Sequence, residues 1–165
     1  MQEVGFGKLG LRDAALAALA ILGWWLFSHY SAGVGPLADF SGVVLGAGLV
    51  FCAHTAHEWG HILGAWLGRS AMRSGSSLTS FSNFIYDSKR NNRAQFLLMS
   101  ILGFIPTGIA VWLYYTQLPA GELATDVARG GVLILVALGV FLELPLVIWA
   151  LVRKDLPPVD RGAPA

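Results

Sequence analysis

Charge is scarce in this chain. Asp, Glu, Lys and Arg make up 13% of its 165 residues, against roughly 25% in a soluble domain, and the mean hydropathy is +0.62. A single cysteine, Cys52, rules out an intramolecular disulfide and any zinc site built on cysteines. It reads as a small apolar packing residue. The formal net charge of +1 gives no electrostatic footprint for nucleic acid, and no such partner is expected. No internal repeat and no appended soluble domain is visible. The charges that exist lie between long apolar stretches, so the solvent for most of the chain is a lipid bilayer rather than water.

Four stretches are long enough to span, at about 14–32, 40–67, 94–117 and 130–152. The expectation is an all-α, polytopic membrane protein with four transmembrane helices, one membrane-embedded domain over residues 1–155, and a disordered Pro-rich tail over 156–165. A cleaved signal peptide is the competing reading of the first stretch, because small residues follow at Ala32 and Gly33. Gly33, Gly35 and Pro36 make a short loop, and Gly103, Pro106 and Gly108 predict a kinked third span. A second loop holds Glu122, Asp126 and Arg129. Residues 69–93 form the one long polar segment, whose apolar middle, 78–86, fits an edge strand, an interfacial helix or a re-entrant piece equally well. Lys and Arg alternate from loop to loop. Lys8 and Arg12 precede the first span, the first loop has none, and the 69–93 segment has five. One follows at Arg129, and Arg153 and Lys154 end the fourth span. That pattern predicts both termini and the long loop on the cytoplasmic side.

Three of the four histidines, His54, His57 and His61, fall inside the second span together with Glu58. An ionisable group at the centre of a bilayer costs about 2.5–3.5 kcal/mol on insertion scales, which makes it a functional hypothesis by default. The pattern is His57-Glu58-Trp-Gly-His61. On a helix the two imidazoles stand one turn apart and can address one metal ion, with Glu58 beside them to handle a proton of metal-bound water. His54 shares their face but lies about 10 Å along the axis from His61, too far for the same ion, so it is assigned a surrounding or structural role.

A catalytic zinc takes three protein ligands. Asp39, Glu122 and Asp126 fall on the outer side of the expected topology, and Asp87 reaches in only if its loop folds back. Glu143 is the one charged residue of the fourth span and lies nine residues before its cytoplasmic end. His57 and His61 lie ten and six residues before theirs. These depths match, so Glu143 is the candidate third ligand. A hydrogen-bonded acid packing two helices is the plainer alternative.

Ala56-His57-Glu58-Trp59-Gly60-His61, followed by Gly64 and Ala65, resembles the motif of the site-2 protease family of intramembrane zinc metalloproteases. The resemblance covers roughly residues 40–152, with the second to fourth spans matching the three-span core of that family. It implies one Zn2+ ion, with His57 and His61 as ligands and Glu58 as catalytic base. It also implies cleavage of peptide bonds in or near the transmembrane helices of partner proteins, in a cell membrane of the bacterial inner-membrane type. Gly103-Phe-Ile-Pro106-Thr-Gly108 falls where the family has a Gly-Pro-rich helix. The family draws its third ligand from an Asp-Gly pair. This chain has none, and Phe141-Leu-Glu143-Leu-Pro145 stands in that place. Two other readings remain open: a non-catalytic metal-binding or inactive protease-like protein, and a di-iron oxidoreductase using Glu58-x-x-His61.

Overall fold

A computed structural model describes residues 4–31, 33–79, 82–153 and 155–157. Among the described residues, four helices are long and apolar enough to cross a membrane, as the sequence predicts. They are α1 (Phe6–Ser31), α2 (Pro36–Leu67), α3 (Arg93–Thr116) and a fourth span made of α4 (Leu123–Leu138), a π-helical turn over Gly139–Glu143, and α5 (Leu144–Arg153). Their outer surface is apolar, with Trp25, Phe40, Trp112 and Phe141 all projecting outward, as a lipid-facing surface requires. The chain is a multi-pass membrane protein.

The helices extend further than the uncharged stretches, for local reasons. α1 starts at Phe6 rather than 14, because Arg12 and Asp13 neutralise each other within it. α2 starts at Pro36, whose fixed φ suits the first turn, with Asp39 near the positive end of the dipole. α3 opens on a capping box between Asn92 and Gln95. The largest correction concerns the loop expected around Glu122, Asp126 and Arg129: the fourth span begins at Leu123, and both Asp126 and Arg129 are helical. Arg129 turns back to donate to the carbonyls of Tyr114 and Leu118 at 2.9 and 3.0 Å. It thereby satisfies groups that the end of α3 would leave unpaired.

The polar segment contains a pair of antiparallel strands, an element the sequence left open. β1 (Met72–Ser74) pairs antiparallel with β2 (Phe84–Tyr86), with Arg73 opposite Ile85. The hairpin packs on the end of the bundle where Ala65 of α2, Phe96 and Met99 of α3 and Ala150 of α5 form a buried cluster. The start of the chain meets it there, Val4 N–H donating to the Gly75 carbonyl. Leu156, in the stretch expected as a tail, packs against the same cluster, and Pro157 is buried. Residues 158–165 lie outside the described ones.

Glycines set the helix spacing. A Cβ on Gly60 would strike the Leu102 carbonyl, and one on Gly64 would lie 2.7 Å from Met99 Cα. The α2–α3 contact therefore exists only because these positions lack side chains. Leu102 is also the residue whose carbonyl loses its helical donor to Pro106, which has no N–H. Gly60 gives that freed carbonyl room.

Candidate metal centre

The close α2–α3 approach positions His61. Its ring lies over Gly103, where any Cβ would overlap the imidazole atoms. Its Nδ1 stands 3.1 Å from the Met99 carbonyl oxygen. A carbonyl only accepts, so Nδ1 carries the hydrogen and Nε2 presents a bare lone pair. His57, one turn earlier, directs Nδ1 to the Thr107 hydroxyl at 2.9 Å. Both rings are thus fixed through one nitrogen and point the other inward, as metal-binding histidines do.

Glu143 arrives from the fourth span. The Leu144 N–H bonds the Gly139 carbonyl, five residues back, instead of the usual four. Pro145 accounts for this locally: it has no N–H to give and its ring clashes with the carbonyl four residues earlier. The extra residue in that turn re-aims Glu143, a common use of π-helical turns. Its Oε1 lies 3.1 Å from His57 Nε2 and its Oε2 lies 3.3 Å from His61 Nε2, while the two Nε2 atoms are 3.0 Å apart.

His57, His61 and Glu143 are the one group of three or more His, Cys, Asp or Glu among the described residues whose ligand atoms all converge, within 4.8 Å of one another. Three acceptors this close repel unless a proton or a metal cation lies among them. Glu143 Oε2 is buried and makes no hydrogen bond to any described residue; a cation between the three would satisfy it. The spacing also suits one ion. A tetrahedral zinc with bonds of about 2.0–2.1 Å separates its ligand atoms by roughly 3.3–3.4 Å, close to the 3.0, 3.1 and 3.3 Å found here. His61 is 6% exposed, so competing water is largely excluded from that side.

Glu58 does not join the triad. Its Oε2 accepts from the Asn83 backbone N–H at 3.1 Å and from the Ser82 hydroxyl at 3.2 Å, both on the hairpin. It shares with His61 and Glu143 a cavity of about 300 Å³ whose other walls include Phe84, Tyr86 and Ser100. The Glu58 carboxylate therefore faces an open volume beside the His57–His61–Glu143 cluster, under the hairpin. His54 is half-buried and outside the cluster.

Nothing in the order of residues pointed to Thr107, to the Met99 carbonyl or to Ser82 and Asn83. Only the pairing of distant segments reveals them. Asp13 was not singled out either, although an acid at the margin of an apolar stretch is a signal that could have found it. It is 2% exposed, less than His61 at 6%. In comparisons with protein-family models, curated proteins and solved structures, nothing matches this chain.

Proposed function

We propose that the chain is an intramembrane zinc metalloprotease of the site-2 protease type, with His57, His61 and Glu143 as metal ligands and Glu58 as general base. The observation that carries this reading is the meeting of two imidazoles with a carboxylate from another span, beside a cavity that also contains a second, non-ligand carboxylate. A zinc ion held there supplies Lewis acidity toward a carbonyl oxygen and an activated water near neutral pH. Glu58 accepts the water's proton and returns it to the departing amine. Glu143 takes the role that an Asp has in the family, its longer side chain presented by the π-helical turn. The apolar cavity wall contributed by Phe84 and Tyr86 suits an apolar peptide segment from a substrate helix.

The excess of Lys and Arg at the hairpin end supports a topology with that end and both termini on the cytoplasmic side of a cell membrane. A di-iron centre fits less well. It needs several bridging carboxylates, and Glu58 is turned to the hairpin. Substituting Glu58→Gln should leave one zinc bound per chain and lower peptide hydrolysis by about 10²–10⁴-fold. Retained hydrolysis in the variant would exclude this mechanism, and a wild-type protein that binds zinc without cleaving would favour the non-catalytic alternative.

A further inference from the structure

We infer that Asp13, on the helix outside the three-span core, is a positioning residue for Glu58; this rests on the protease reading above. Asp13 Oδ2 accepts the Trp59 indole N–H at 2.8 Å and the Asn83 side-chain N–H at 2.7 Å, while Oδ1 accepts from Arg12 Nε at 2.7 Å. Arg12 also donates to Asn83 Oδ1 at 2.6 Å and to the Leu78 carbonyl. Both ends of the Asn83 amide are therefore gripped by an ion pair on α1. Asn83 is itself 2% exposed.

The two residues that Asp13 holds flank Glu58. Trp59 follows it in α2, and Asn83 donates its backbone N–H to Glu58 Oε2. Gly10 lets α1 approach the indole closely: a Cβ there would come to 3.3 Å from the ring. A displacement of Asn83 thus displaces the donor that orients the carboxylate, and misplacement by about 1 Å costs about 100-fold in rate.

Helix packing alone does not require this arrangement. Elsewhere α1 meets α2 through small residues, Gly23 against Leu45 and Ala20 against Gly48, with no buried charge. Replacing a buried ion pair by apolar groups is often neutral or stabilising, so the burial of Asp13 adds orientation rather than adhesion. Because Oδ2 receives two donors and Oδ1 a third, an amide at this position must face at least one donor with its own NH2 group.

The test compares wild type with Asp13→Asn and with Asn83→Ala, the second keeping the backbone N–H but removing the gripped amide. Each protein is reconstituted with zinc. Zinc stoichiometry, hydrogen exchange over residues 82–86, and kcat and KM on a fluorescence-quenched apolar peptide in detergent are then measured. Both variants should keep one zinc, exchange the backbone N–H at position 83 faster, and lose about 10–100-fold in kcat with KM changed less than about twofold. Unchanged kcat, or a loss matched by lost zinc or lost folded protein, overturns the inference. So does unchanged exchange at position 83, whether or not the wild type cleaves. A wild type with zinc but no hydrolysis sinks the protease reading instead, a result distinct from wild type and Asp13→Asn cleaving equally.

Discussion

The two ends of this bundle use the same packing device for different purposes. At the end away from the hairpin, Gly46 of α2 lies so close to α4 that a Cβ would come to 2.6 Å from the Ala124 carbonyl and from Val127. Around it Leu49, Ala53, Ala110, Ala128 and Val132 make an apolar cluster. Its polar contact, Tyr114 to the Leu49 carbonyl, only satisfies a backbone group. At the hairpin end Gly60 and Gly64 permit an equally close approach of α2 to α3, but there the space over Gly103 is taken by the His61 imidazole, which meets His57 and Glu143. Close helix contact is therefore not by itself a sign of function. It becomes one where it forces three ligand atoms together at a depth where each is costly alone.

The sharpest way to break this contrast is Gly103→Ala. The added methyl overlaps the His61 ring, so the ring must leave its place and the triad loses a ligand. Zinc content of the purified protein should collapse while the four-span fold persists; full zinc occupancy would show that His61 is not needed where it stands. A smaller effect is expected from Thr107→Val, which keeps the volume but removes the hydroxyl partner of His57 Nδ1. Zinc affinity, measured by chelator competition, should fall about 10–100-fold, and an unchanged affinity would mean that the hydroxyl does not orient the ring. The smallest effect on the metal belongs to the other end. Gly46→Ala should destabilise the protein by about 1–3 kcal/mol in a detergent unfolding assay and leave zinc stoichiometry untouched. Loss of zinc there would mean the two ends are coupled.

Much of this was legible in the residues themselves. Runs of uncharged residues gave the four spans, and one-turn spacing put His57 and His61 on one face. Matching depths picked out Glu143 from a different helix, although no spacing rule links positions 86 apart. What could not be read was anything set by through-space pairing. Arg129 lies in helix rather than loop because it caps the carbonyls of another span. The strands at Met72–Ser74 and Phe84–Tyr86 are three residues each, too short for periodicity to declare. The role of Asp13 could not be read either, since its partners Trp59 and Asn83 are 46 and 70 residues away.

In the proposed centre, two imidazoles of α2 and the carboxylate of Glu143 hold one zinc ion. X-ray absorption at the zinc edge, on purified protein reconstituted with a single equivalent, reads that shell. Two imidazole nitrogens at about 2.0–2.1 Å, a carboxylate oxygen at about 2.0–2.2 Å and one further light atom are expected, with the carboxylate contribution lost in Glu143→Ala. A protein that retains no zinc, a coordination shell without imidazole, or a spectrum unchanged by Glu143→Ala would contradict it.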